Sequence, residues 1–292
     1  MAKHDSSLLV DRVIGWFDEN ERPLPWRTST PWGVLVSEFM LQQTPVDRVL
    51  PVWGAWLDRW PQPSALAAAE LGDVLRAWGR LGYPRRAQRL HATSLILRDQ
   101  YDDKVPSDEE SLLALPGVGH YTAAAISAFA FGRRSVVLDT NVRRVVTRVI
   151  IGSAAPPAHI TAVERALADE LWPVDDARSA RWSAAVMELG ALVCTSRAPD
   201  CDACPVSAQC TWLAAGRPAA SGPTRRQPTY EGSDRQARGL ILGALRDAPG
   251  PVAEHALTAA CPDASQRHRA IAGLLADGLI VRRGSGRYAL PS

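Results

Sequence analysis

Lysine is almost missing from this chain: Lys3 and Lys104 are the only two. An amine nucleophile therefore has very few candidate positions. The basic side is nearly all arginine, whose planar fork suits phosphate, although a GC-rich genome produces the same bias. The net charge is only +2, so the chain is no polycation, and nucleic-acid binding must be argued from motifs. No apolar run approaches the roughly 20 residues that span a bilayer. The opening Met1-Ala2-Lys3-His4-Asp5 is not a secretory signal. A cytoplasmic location without membrane contact is expected. There are five cysteines; four share one short stretch, which in a cytosolic chain points to a metal centre before disulfides. Cys261 stands alone and reads as a small apolar core residue. What the chain has in quantity is apolar surface: 46% of its 292 residues are hydrophobic and 22% charged, enough for a sizeable core divided among two or three units.

Helical periodicity dominates the first two-thirds. Leu8-Leu9-Val10, Val13-Ile14 and Phe17 repeat at helical spacing, and helix-like stretches follow near 32–44, 46–59, 71–79, 85–100, 108–114, 121–131, 140–151, 161–171 and 180–193. Proline and glycine punctuate them. The ten tryptophans are spread at helical spacing and read as core. Residues 216–233 are rich in Pro, Gly, Ser, Thr and Arg, which suggests a linker. The segment 234–292 then shows helical patterns at Ala237–Arg246, around Val252–Ala260 and at Ala264–Leu275. A β-hairpin follows, from Leu279–Arg283 through Gly284-Ser285-Gly286 to Arg287–Leu290. Three helices and a hairpin suggest a winged-helix-like module.

Three stretches carry chemistry. The cysteines are spaced Cys194-x6-Cys201-x2-Cys204-x5-Cys210. Structural zinc sites usually pair two close hooks across a longer gap; one hook with intermediate flanks favours a compact 4Fe–4S cube on a single loop, with zinc the alternative. In Leu115-Pro116-Gly117-Val118-Gly119-His120-Tyr121-Thr122-Ala123, Gly117 and Gly119 permit close backbone approach. The N–H groups that open the next helix then offer a phosphate site without lysine; a simple helix–helix turn is the alternative. Finally, two acids sit in apolar company. Glu38 lies in Val34-Leu35-Val36-Ser37-Glu38-Phe39-Met40-Leu41-Gln42-Gln43-Thr44, where desolvation would favour its protonated form. Asp139 follows Val136-Val137-Leu138 and reads equally as the N-cap of a helix starting near Thr140.

Taken together and in this order, these stretches resemble the endonuclease III and MutY glycosylases over about residues 8–215. The cysteine spacing is similar to their iron–sulfur loop, and LPGVG-x-x-TA to their helix-hairpin-helix. The resemblance implies an all-α, two-lobed DNA glycosylase. One lobe is 30–137 with the hairpin; the other joins 1–29 to 138–215 with the 4Fe–4S loop. The linker 216–233 and a small α+β winged-helix-like domain, 234–292, complete the chain. Within the superfamily the segments around Glu38 and Asp139 resemble those carrying the catalytic Glu of MutY members and the shared catalytic Asp. Lyase relatives carry a lysine where this chain has Tyr121, so a monofunctional enzyme is implied.

The implied substrate is double-stranded DNA with adenine mispaired with 8-oxoguanine or guanine, acted on by a nucleoid-associated monomer. The target nucleotide is flipped out. Glu38 protonates the purine at N7, Asp139 stabilises or traps the sugar cation, and Tyr121 and Asn141 position that carboxylate. DNA contacts are expected from Gln42 and Gln43 (the family's QQ pair), from Tyr83 in Leu81-Gly82-Tyr83 (a partial match to GLGYY), and from Gly117, Gly119 and His120. Arg27 in Leu24-Pro25-Trp26-Arg27, and Arg197 in the cysteine loop, complete that set. No Phe occurs after Phe131, so the F-S-H-type loop that reads 8-oxoguanine in larger members is lacking. Two rival readings stay open: an endonuclease III-like thymine or oxidised-pyrimidine glycosylase, and a non-catalytic iron–sulfur DNA-binding protein. No protein partner can be named.

Overall fold

The computed structural model describes residues 3–220 and 229–292, so part of the expected linker lies outside the described residues. The helices are α1 (Lys3–Asn20), α2 (Pro31–Leu41), α3 (Val46–Arg59), α4 (Pro63–Ala67), α5 (Leu71–Trp78), α6 (Arg85–Gln100), α7 (Glu109–Leu113), α8 (His120–Phe131), α9 (Thr140–Val146), α10 (Ala162–Leu171), α11 (Asp176–Leu192), α12 (Thr211–Ala214), α13 (Asp234–Asp247) and α14 (Ala264–Ala276). Three short strands, β1 (Val252–Ala253), β2 (Val281–Arg282) and β3 (Arg287–Ala289), occur in the last sixty residues. The chain is mostly helical, as its periodicity predicts. No helix among the described residues is long and apolar enough to cross a membrane.

Two compact units are present: Met1–Val34 with Ser107–Ala114 and Val118–Thr224, and Leu35–Pro106 with Leu115–Gly117 and Arg225–Ser292. The first is built on the apolar stripes of α1, α9 and α11. Leu9, Val10, Val13 and Phe17 pack with Val142, Val145 and Val146 and with Trp182, Ala185, Val186 and Leu189, the spacing of one helical face in each case. Trp172 meets Trp182 edge to face at 5.9 Å. After Val146 the helix widens into a π turn over Thr147–Ile151, closed by the Gly152 N–H donating to the Thr147 carbonyl at 2.9 Å. The sequence pattern across 140–151 reads as one continuous helix because a one-residue bulge hardly disturbs a short apolar period.

In the second unit Trp56 sits between Trp60 and Trp78, at 4.6 and 5.6 Å between ring centroids. Nine of the ten tryptophans are buried, Trp16 being the exception, in accord with the core reading. The C-terminal residues form a module of α13, β1, a 3₁₀ turn at Glu254–Thr258, α14 and the β2–β3 hairpin. Its antiparallel sheet has the order β1-β3-β2, with Val252 opposite Tyr288 and Val281 opposite Ala289. That order is the winged-helix arrangement. The helix expected around Val252–Ala260 is corrected: Pro251 breaks the pattern, and pairing with β3 claims Val252 and Ala253 before the 3₁₀ turn begins. The module packs on α5 and α6. Gln88 Nε2 donates to the Asp277 carbonyl at 3.0 Å, and the Arg246 guanidinium donates to the Gly79 carbonyl.

Candidate active site

Glu38 occupies the last turn but one of α2 and is only 6% exposed. Leu35, Val36, Phe39 and Met40 beside it are fully buried. A carboxyl among such neighbours loses solvation that only specific partners can replace.

The end of α2 is held by a residue that the motif comparison did not single out. Arg86 is 5% exposed and pairs with no carboxylate among the described residues. Its Nη1 donates to the carbonyls of Phe39, Met40 and Gln42 at 2.9, 2.8 and 2.5 Å. Its Nη2 donates to Thr44 Oγ1 at 2.8 Å and to the carbonyls of Leu81 and Gly82 at 3.3 and 3.1 Å. Burial lowers its pKa to about 10, still protonated at neutral pH. One cation thus caps the carboxyl end of α2 and ties it to the loop before α6. Both tips of that tie are left-handed without being glycine: Gln43 at φ 58° and Tyr83 at φ 46°. Such backbone is held only where its surroundings over-determine it. Tyr83 is 47% exposed and Gln43 is exposed. Gln42 is half-buried, with Nε2 3.4 Å from the Gly117 carbonyl. The signal for Arg86 was present in the sequence, because it lies on the stripe Arg86, Leu90, Thr93, Ser94, Leu97 that α6 buries.

Gly117 adopts φ 86°, and a Cβ there would lie 2.9 Å from Phe39 Cε1 and from Arg89 Cβ. Glycine is required there on both counts. Gly119 is different. Its backbone is extended, it is the N-cap of α8 without any side-chain cap, and a Cβ would meet nothing within 4 Å. By contrast α7, α9, α10, α11, α13 and α14 are capped by Asp108, Asp139, Thr161, Asp175, Ser233 and Asp263. The start of α8 is left to backbone alone, as are those of α3, α4, α5, α6 and α12. His120 is exposed there, with Nδ1 3.8 Å from Glu109.

In the first unit Asp139 is the N-cap of α9. Oδ1 accepts the Val142 N–H at 2.6 Å, and Oδ2 accepts Asn141 Nδ2 at 2.9 Å. Burial nevertheless raises its pKa above the usual carboxylate value, outweighing these hydrogen bonds and nearby Arg144. Asn141 Oδ1 in turn accepts Arg144 Nη2 at 2.8 Å, and Arg144 reaches on to the carbonyls of Gly190 and Cys194 at 2.6 and 2.8 Å. The acid is therefore the first member of a chain of bonds that ends on the cysteine loop. Tyr121 is half-buried against Ala124, Ala125, Ala128 and Val137. Arg27 is engaged inside its own unit: Nη2 lies 3.1 Å from Glu188, a carboxylate only 2% exposed, and Nη1 donates to the Arg22 carbonyl at 2.6 Å. Arg197 is exposed.

The four clustered cysteines line one cavity with Val149 and Trp212, and all are free thiols. Burial raises the Cys204 thiol to about 11 and also raises Cys210. Arg148 stacks on Trp212 at 4.5 Å and donates to the Thr195 and Ser196 carbonyls, with Nη1 3.4 Å from Cys194 Sγ. Among the described residues no three His, Cys, Asp or Glu side chains converge on a single-ion site.

Residues 36–172 match the family model described as HhH-GPD superfamily base excision DNA repair protein. The adenine DNA glycosylase of Mycolicibacterium smegmatis is 50% identical over 281 residues, covering 95% of this chain and 94% of that protein. The enzyme of the same name from Mycobacterium tuberculosis is 50% identical over 283 residues, covering 96% and 92%. Among solved structures, a thermostable thymine-DNA glycosylase superposes with a TM-score of 0.64 at 24% identity, over 72% of this chain and 97% of that one; at that identity the likeness bears on the fold alone. The chain belongs to the adenine DNA glycosylases, within the HhH-GPD superfamily.

Proposed function

We propose that this enzyme is a monofunctional glycosylase that hydrolyses the N-glycosidic bond of adenine mispaired with 8-oxoguanine or guanine in duplex DNA. The observation that carries the reading is a pair of desolvated carboxyl groups, Glu38 buried and Asp139 half-buried. Glu38 is enclosed by apolar side chains on α2, and Asp139 is anchored by Val142 N–H and Asn141. Two such carboxyl groups can divide between them the acid and the charge-stabilising roles that glycosidic cleavage needs. Glu38 delivers a proton to the purine ring and makes it a neutral leaving group. Asp139 supplies negative charge to the developing oxocarbenium ion, and water completes the hydrolysis. Because the bond is inaccessible inside a stacked duplex, the nucleotide leaves the helix first. Gln43 and Tyr83, exposed on rigid left-handed backbone, suit insertion into the space it vacates. The start of α8, free of side-chain caps, suits a DNA phosphate. With tyrosine at 121 and lysine only at 3 and 104, the chain has no amine placed for a Schiff base, so the product is an intact strand with an abasic site.

Four thiols around one cavity fit a 4Fe–4S cluster held by Cys194, Cys201, Cys204 and Cys210. When bound it would cross-link the loop that bears Arg197, a structural service. Arg148 and Arg144 would brace that loop through its carbonyls.

Single-turnover base release tests the reading on duplexes with adenine opposite 8-oxoguanine, adenine opposite guanine, and thymine opposite guanine. Adenine release that gives strand breaks only after alkali is the expected outcome. Thymine release, or breaks without alkali, would transfer the chain to the endonuclease III-like reading; no release at all would favour a non-catalytic DNA-binding protein.

A further inference from the structure

The positive charge of this protein is not evenly spread. Residues 234–292 hold eight arginines against five acids, whereas residues 1–233 hold 25 basic against 26 acidic residues. The net charge of the whole chain therefore originates in the C-terminal module.

Most of those arginines are engaged within the protein. Arg238 pairs with Asp277, Arg269 with Asp234, Arg246 reaches the Gly79 carbonyl, and Arg267 bonds the carbonyls of Cys261 and Pro262. Arg235 lies over the Tyr230 ring at 5.4 Å. The exceptions cluster. Arg282, Arg283 and Arg287 flank the turn Gly284-Ser285-Gly286, and all six residues are exposed. Arg282 lies over its cross-strand neighbour Tyr288 at 5.8 Å, and Arg283 Nη2 donates to Ser292 Oγ at 2.9 Å. None of the three pairs with a carboxylate among the described residues. The acid at the base of the hairpin, Glu254, is occupied by the Tyr288 hydroxyl at 3.1 Å and His268 Nε2 at 2.9 Å. Left-handed glycines at 284 and 286 make the turn tight and free of bulk, so three arginines lie within six residues of one short hairpin.

We propose that this hairpin is a separate contact for the phosphate backbone of duplex DNA, made by Arg282, Arg283 and Arg287 and independent of the base being excised. Unpaired guanidinium groups of one sign on a short ribbon match a polyanion whose charges repeat along a groove edge. Leu274, Leu279, Ile280 and Tyr288 are buried in the core of the same module, which is docked on α5 and α6. The contact is electrostatic, so it adds affinity without adding sequence preference. It rests on duplex DNA being the substrate and on nothing about which base is removed.

The test is the salt dependence of binding to an undamaged duplex several helical turns long, compared between the wild-type protein and the triple variant Arg282→Ala, Arg283→Ala, Arg287→Ala. Because each lost phosphate contact removes about 0.9 from the slope of log K against log salt, the variant slope falls by about 2 to 3. The substitutions are on the surface, so the unfolding temperature is unchanged. A second variant with lysine at all three positions retains most of the slope, since a phosphate contact needs charge more than shape. An unchanged slope in the alanine variant overturns the proposal, as does a drop shared equally by the lysine variant. Adenine release by the wild-type protein is scored separately. Its absence sinks the proposed function and leaves the slope comparison standing.

Discussion

Glu38 and Asp139 stand at opposite ends of their helices, Glu38 near the carboxyl end of α2 and Asp139 at the start of α9. Asp139 is positioned by bonds to its own carboxylate: a backbone N–H on one oxygen and an amide on the other, with Arg144 behind that amide. On the Glu38 side, the carboxyl end of α2 is fastened by the Arg86 guanidinium. Burial raises the Asp139 pKa despite its bonds, but they fix the carboxylate in place, which suits a charge-stabilising role. Glu38, 6% exposed beside the buried Val36, Phe39 and Met40, takes the proton-delivering role in the proposed function.

The comparison is broken most forcefully at Glu38. Glu38→Gln preserves shape and removes the proton; base release is expected to fall by about 10² to 10⁴-fold, while the affinity for mismatched duplex changes little. A single-turnover rate within a few-fold of wild type would end the assignment. Arg86→Met attacks the indirect support instead. Several buried carbonyls lose a charged donor, and unfolding in denaturant should show a loss of about 3 kcal/mol. If that variant keeps its stability, Arg86 does not fasten the carboxyl end of α2.

Asp139 is dissected by a pair of substitutions. Asparagine caps a helix about as well as aspartate, so Asp139→Asn should cost only tenths of a kcal/mol while base release falls sharply. Asp139→Ala should lose the cap as well, a further cost of about 1 kcal/mol. Equal stability in both variants would mean that the cap contributes nothing. The subtlest effect is on pH. Burial raises the Asp139 pKa in the folded protein above 3.8, so the folded state binds this proton more tightly than the unfolded chain. Stability from this group is full below the unfolded value and is lost as pH rises through the folded value. Activity runs the other way, since the ionised form is the useful one. The acid limb of base release should fall at a pH above that of an ordinary aspartate, and Asp139→Asn should remove that limb.

Much of this was legible from residue patterns. The apolar stripes of α1, α9 and α11 carry their own spacing, and Asp139 stands where a helix needs a cap. The cysteine spacing drew attention to the loop whose thiols share one cavity. Arg86 was harder, because it follows Arg85 and nothing local says which of the two turns inward; only the phase of Leu90, Thr93 and Leu97 decides it. Arg27 illustrates the opposite difficulty. Its motif points to DNA, but its ion-pair partner Glu188 is more than 160 residues away in the chain, beyond the reach of any local pattern. The strand at Val252 was hidden for the same reason, since its partner Tyr288 comes 36 residues later.

The π turn after α9 has a consequence for length changes. Thr147–Ile151 uses one more residue than a regular turn before reaching Gly152, where an added Cβ would sit 2.9 Å from the side chain of Thr211, next to Cys210. Removing a single residue there would restore an unbroken helix and rotate all that follows by about 100°, carrying Gly152 off Thr211. The turn is in effect a spacer between the arginines that brace the cysteine loop and the segment that closes it. The side chain of Ile151, half exposed, can be exchanged at modest cost, but the number of residues in the turn cannot.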